Sequence, residues 1–199
     1  MIERRYFPKA ELRAKGDSMT IAGHAAVFNA LSDDLGGWKE MIRPGAFAQS
    51  LRTDDIRSLW NHDANFVLGR NTAKTLRLNE DDIGLAIEND LPDTTMARDL
   101  MTSIRRGDVT QMSFGFIALR EDWRFDGGVV VRELIEAQLF DVSPVTYPAY
   151  PQTDVSARSR FADRIQALKA PPIDPLIDLD LRRRRLELTN KLYLGGVHG

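Results

Sequence analysis

The stretch Gln111-Met112-Ser113-Phe114-Gly115-Phe116-Ile117-Ala118-Leu119 sets one serine and one glycine into an apolar, aromatic run. Read with the two-residue period of a strand, it puts Met112, Phe114, Phe116 and Ala118 on one face and Ser113, Gly115, Ile117 and Leu119 on the other. Glycine weakens a strand unless something must come close to the backbone, so Gly115 marks a slot beside Ser113 wide enough for an extended chain. Taken alone, Ser113 reads more readily as a packing residue or a local hydrogen-bond former than as a nucleophile.

Working outward, residues 94–106 carry the clearest helical pattern. Met96, Leu100, Met101 and Ile104 recur at helical spacing, Asp93 or Thr94 can cap the start, and Gly107 can end it. This helix stops just short of the serine strand and so helps fix where Ser113 points. On the other side, the turn Asp126-Gly127-Gly128 leads into residues 129–145, the longest β-rich stretch. Asp141 is an acid inside that hydrophobic run, and a buried carboxylate is costly unless it is paired or hydrogen-bonded. It either meets a partner or orders the bend implied by Pro144 and Pro148. Glu133 and Glu136 are rival acids, with Glu136 on the opposite face from Asp141 in an unbroken strand.

Upstream, residues 56–62 read as a strand, Asp63-Ala64-Asn65 as a turn and residues 66–70 as its return. Alternation puts Ser58, Trp60 and His62 on one face, so His62 falls at a strand end, as an exposed turn histidine or as a base. Residues 19–28 form a strand or hairpin arm, with Gly23 as a bulge or close-approach point and His24 hydrogen-bonded within it. Pro44 suits the first turn of a short helix running to about Leu51. Short strands at 75–78 and 83–87 flank the acidic turn at 79–82. Beyond the closing stretch 148–152 come an amphipathic helix at 155–168, a proline-rich linker at 170–175 and a charged helix or tail containing Arg182-Arg183-Arg184-Arg185. The expected organisation is a domain over 1–168 and a linker with tail over 169–199.

Composition narrows the chemistry. The chain has 199 residues, no cysteine, three histidines and a net charge of -2. Disulfides, thiolate metal sites and cysteine nucleophiles are excluded, and no His-Glu-x-x-His pattern points to zinc, so neither a cofactor nor a metal is expected. The near-neutral balance gives no broad surface for nucleic acid. No apolar run approaches bilayer length, and residues 1–6 lack the apolar core of a signal peptide, so a soluble intracellular protein is expected. His62 is the leading candidate for acid-base work, because His198 lies in a glycine-rich terminus.

His62, Ser113 and Asp141 together supply the parts of a base, a nucleophile and an orienting acid, a set recognised by roles rather than by order. Several blocks then occur in a characteristic order: Gly23-His24-Ala25-Ala26-Val27-Phe28, Pro44-Gly45-Ala46-Phe47, Asn61-His62-Asp63, Leu68-Gly69-Arg70, Asp82-Ile83-Gly84-Leu85, Gln111-Met112-Ser113-Phe114-Gly115-Phe116 and Phe140-Asp141-Val142-Ser143-Pro144-Val145-Thr146-Tyr147-Pro148-Ala149. In these, over about residues 19–157, the chain resembles the tailed-phage prohead serine proteases. The resemblance implies His62 and Ser113 as catalytic residues and Asp141 in a third position where relatives more often carry glutamate. It implies a mainly β fold with peripheral helices (α+β), in the form of an antiparallel β-barrel similar to the herpesvirus assemblins. It further implies cleavage of the scaffolding segment of the major capsid protein or of a scaffold protein, inside the assembling prohead in the bacterial cytoplasm, with self-association and self-cleavage. The competing expectation is a non-catalytic assembly module that keeps the protease fold. A nucleic-acid role for Arg182 to Arg185 ranks third, since acidic neighbours cancel much of their field.

Overall fold

The computed structural model describes residues 2–8, 10–147 and 155–170, together with residue 183. The closing stretch 148–152, the linker beyond Ala170, His198 and the basic run other than Arg183 lie outside the described residues. Contacts divide the chain into Met1–Leu168 and Lys169–Gly199, and the description below concerns the first unit.

In chain order the elements are β1 (Glu3–Tyr6), β2 (Leu12–Ala14), β3 (Thr20–Val27), β4 (Trp38–Ile42), α1 (Ala48–Thr53), β5 (Arg57–Trp60), β6 (Asp63–Arg70), β7 (Leu76–Glu80), β8 (Gly84–Asp90), α2 (Thr95–Arg106), β9 (Gln111–Asp126), β10 (Val129–Val145) and α3 (Val155–Lys169). One sheet runs β1-β9-β10-β5-β6 with β4 also on β10, and the other runs β2-β3-β8-β7. The fold is mainly β with few helices, as expected. The closed antiparallel barrel is not formed among the described residues, for a physical reason that lies in β10. That strand is long enough to take β4 along Val130–Leu134 and β5 along Asp141–Val142, both in parallel, on the side away from β9. The sheet is therefore mixed, and its outer strands β1 and β6 pair with neither edge of the second sheet.

The β9–β10 hairpin carries the core. Met112, Phe114 and Phe116 are wholly buried, with Phe114 5.5 Å from the Phe47 ring and 6.3 Å from the Phe7 ring. Each such side chain contributes roughly 1.5–3 kcal/mol by leaving water. Ala97, Leu100, Met101 and Ile104 of α2 add their apolar side to the same core. The helix starts and stops where the sequence signals it: the Thr94 hydroxyl accepts from Ala97 N, and Gly107 ends it at φ 82°. The short helix α1 begins later than expected, at Ala48, because Pro44 and Gly45 form a turn ahead of it.

At the far end of the hairpin a second apolar cluster joins Trp38, Trp123 and Val130 to Phe161 and Ile165 of α3. Beneath it Arg132, 1% exposed, binds Glu3, Glu40 and Glu121, while Arg5 binds Glu3 and Glu40. Burial opposes the charge on Arg132, but these carboxylates outweigh it and hold the guanidinium pKa above its ordinary value. The network stitches β1 and β4 onto the hairpin.

Candidate active site

The nucleophile-type side chain comes from the sheet. Antiparallel partners point to the same face, and the register pairs Ser113 with Ser143 and Gly115 with Asp141. A bulge sets up the second pair: Leu139 faces Phe116 and Asp141 faces Gly115, leaving Phe140 as the extra residue. Without it, Leu139 and Asp141 would share a face. With it, Leu139 stays in the core and Asp141 turns to the face of Ser113. This explains an acid in an apolar run.

His62 arrives differently from the strand-end expectation. β5 stops at Trp60, and Asn61 and His62 form the turn, both with left-handed backbone at φ 56° and 59°. Such a conformation costs a histidine roughly 1–3 kcal/mol and persists only where neighbours hold it. The end of β10 does so. Asn61 N donates to the Pro144 carbonyl at 3.0 Å, and Asn61 Oδ1 accepts from Thr146 N at 2.9 Å. The residues expected to turn, Asp63, Ala64 and Asn65, lie instead in β6.

These elements bring the three sequence-predicted residues together. His62 Nδ1 lies 2.5 Å from Asp141 Oδ2, and His62 Nε2 lies 2.7 Å from Ser113 Oγ. An ionised carboxylate only accepts, so Nδ1 carries the proton and donates to it, leaving Nε2 of a neutral ring free to accept from Ser113. The shorter stem of aspartate suffices because the bulge sets Asp141 directly across from Gly115. The rival acids lie elsewhere: Glu133 binds Arg43 and Arg124, each at 2.9 Å, and Glu136 is the register partner of Arg120, away from His62.

Two contacts were not anticipated. Ser113 Oγ also lies 2.9 Å from the Arg5 carbonyl, so one hydroxyl proton faces two acceptors. Ser143 Oγ donates to Asp141 Oδ2 at 2.7 Å. The slot at Gly115 is also not free for an extended chain, since a Cβ there would lie 2.4 Å from Asp141 Oδ1. Ser113 is fully buried, and the side chains of His62 and Asp141 are 6% and 11% exposed. A cavity of about 400 Å³ opens beside His62, lined by Arg4, Asn61, His62, Val145, Thr146 and Tyr147.

His24 is elsewhere, hydrogen-bonded to Asp81 at 2.9 Å. Partial burial works against the Asp81 carboxylate, but His24 and the Gly84 and Ile83 amides hold its pKa below the ordinary range. Among the described residues no group of three or more His, Asp or Glu side chains is set to hold a metal ion, and no helix is long and apolar enough to cross a membrane.

Residues 8–167 match the family model of the caudovirus prohead serine proteases. The chain belongs to that family. It is also 29% identical over 169 residues to the prohead protease of Enterobacteria phage HK97, across 82% of this chain and 71% of the relative. No solved structure matches. The family is that of phage capsid maturation proteases, and His62, Ser113 and Asp141 all fall inside the matched span.

Proposed function

We propose that the chain is a serine endopeptidase of prohead maturation, with Ser113 as nucleophile, His62 as general base and acid, and Asp141 as the acid that orients the imidazole. The observation that supports this most is the unbroken hydrogen-bonded line from the Asp141 carboxylate through both imidazole nitrogens to the Ser113 hydroxyl. Ser113 Oγ forms a bond to the carbonyl carbon of the scissile peptide while His62 Nε2 takes the hydroxyl proton. Collapse of the tetrahedral adduct breaks the C–N bond, and the same proton passes to the leaving amine. Water then cleaves the acyl-enzyme by the same exchange. Asp141 stabilises the imidazolium formed at each step.

The substrate in this reading is the scaffolding segment of the major capsid protein, or a separate scaffold protein, inside the assembling prohead. Self-cleavage within the linker after the 1–168 domain would release the charged tail, and self-association accompanies the activity. The burial of Ser113 favours a second reading, an assembly module that keeps the protease fold without cleaving.

Co-expression with the capsid protein separates the two. Intact-mass measurement should find the capsid protein trimmed by the wild type and left whole by Ser113→Ala and His62→Ala. Asp141→Ala should slow trimming more than Glu133→Ala or Glu136→Ala. Trimming by Ser113→Ala at the wild-type rate would exclude the proposed nucleophile, and no trimming by the wild type would favour the assembly module.

A further inference from the structure

We infer that Ser143 is a positioning residue for the same reaction, acting on His62 through Asp141; this rests on the proposed roles of Ser113, His62 and Asp141. Ser143 is completely buried, and its hydroxyl donates at 2.7 Å to Asp141 Oδ2, the oxygen that also accepts from His62 Nδ1 at 2.5 Å. The aspartate carboxylate turns about a single terminal bond, and the one hydrogen bond from His62 Nδ1 leaves that turn only partly fixed. A second donor on the same oxygen does, because Ser143 is rooted in β10 two residues from Asp141.

Backbone geometry supplies the rest. Ser143 is the register partner of Ser113 and Asp141 that of Gly115, so two neighbouring cross-strand pairs on one sheet face hold the nucleophile, the acid, its second donor and the gap that admits the carboxylate. The bulge at Phe140 turns Asp141 onto this face, and Ser143 keeps its carboxylate in one rotamer there. Charged groups nearby do not take over this task. Arg4 of β1 lines the cavity beside His62, and Arg57, opposite Asp141 on β5, directs its guanidinium to Asp55 at 3.1 Å. The hydroxyl contributes by orientation: with it, Oδ2 is aimed at Nδ1 in the tautomer that leaves Nε2 free for the serine proton.

The test compares Ser143→Ala and Ser143→Thr with the wild type and Ser113→Ala. The probe is a fluorophosphonate, whose fluoride is displaced from phosphorus by an activated serine oxygen. The second readout is the far-downfield NMR signal of the His62 Nδ1 proton. Ser143→Ala should fold, label about tenfold more slowly, as expected for one lost charge-assisted hydrogen bond, and move or broaden the Nδ1 signal. Ser143→Thr, which keeps the hydroxyl, should restore both. Wild-type labelling in Ser143→Ala would overturn the inference, and so would slower labelling with an unmoved Nδ1 signal, which marks a packing defect alone. Equal labelling of Ser113→Ala would instead overturn the underlying assignment of the nucleophile.

Discussion

At position 115 the missing side chain serves a carboxylate. The aromatic strand invites the reading that a glycine next to a serine leaves room for a bound peptide, yet the space belongs to Asp141 Oδ1, 2.4 Å from where a Cβ would sit. That oxygen ends a short side chain, so an alanine at 115 would push the carboxylate aside at little cost to the fold while drawing Oδ2 off His62. Gly115→Ala is therefore expected to lower kcat/KM for the proposed cleavage of capsid protein by about a hundredfold, the scale of an ångström-sized misplacement. Its melting temperature should stay within a few degrees of the wild type. Calorimetry beside a processing time course measures both, and full activity in the variant would separate catalysis from the placement of Asp141. The sequence offered His62, Ser113 and Asp141 only as a set, each having an ordinary reading by itself, and the structure brings these three side chains together. Ser143 was not legible, because a serine in a strand next to a proline has many ordinary uses. The Arg5 carbonyl was not either, since a backbone acceptor leaves no residue signature.

Among the elements, helix α2 was readable because periodicity and caps agree with the packing, and β10 as the longest β-rich stretch, whereas β9 runs on to Asp126, beyond the apolar run that ends at Leu119. The β5–β6 hairpin was misplaced by two residues. Its turn uses left-handed Asn61 and His62, a conformation that sequence reasoning assigns to glycine and that only the clamp from Pro144 and Thr146 sustains here. The other end of the hairpin is tied by Asp55, which links the strand entering the turn to Arg70 on the strand leaving it at 2.5 Å. The Arg70 hydrogen bond, helped by Arg57 and opposed by desolvation, lowers the Asp55 carboxyl pKa from 3.8 to about 2. A carboxyl whose folded pKa is depressed stabilises the fold above its unfolded value and loses that contribution as pH falls through the folded one. Asp55→Asn should thus unfold at lower urea concentration than the wild type near neutral pH, the gap closing between about pH 4 and about pH 2. A gap that is constant with pH would assign the loss to packing or to the neutral hydrogen bond.

The molecule as a whole separates its chemistry from its anchoring along one hairpin. Ser113 pairs with Ser143 at one end and Trp123 with Arg132 at the other. Ten residues of β9 separate Ser113 from Trp123. The charged residues Glu3 and Arg5 of β1, which pairs beside Ser113, and Glu40 and Arg132 toward the anchoring end defeat sequence reading because alternating charges on short strands look solvated, whereas here they neutralise one another in the interior. The barrel expectation failed at this scale too, since nothing in local alternation reveals that β10 takes two parallel partners. Helix α3 covers the anchoring end: the Phe161 ring lies 4.9 Å from that of Trp123 and 5.6 Å from that of Trp38, with the Arg132 guanidinium 5.1 Å from its centre. Truncating a phenylalanine so placed costs about 3–5 kcal/mol, and Phe161 packs on Trp123, ten residues along β9 from Ser113, a separation at which mutational effects are largely additive. Phe161→Ala should therefore lower the unfolding free energy by about 3 kcal/mol and yet label Ser113 at the wild-type rate at temperatures where it remains folded. Slower labelling by the folded variant would mean that α3 reaches Ser113 through the hairpin, most directly through β1, whose Arg5 side chain is bound to the buried carboxylates while its carbonyl lies 2.9 Å from Ser113 Oγ.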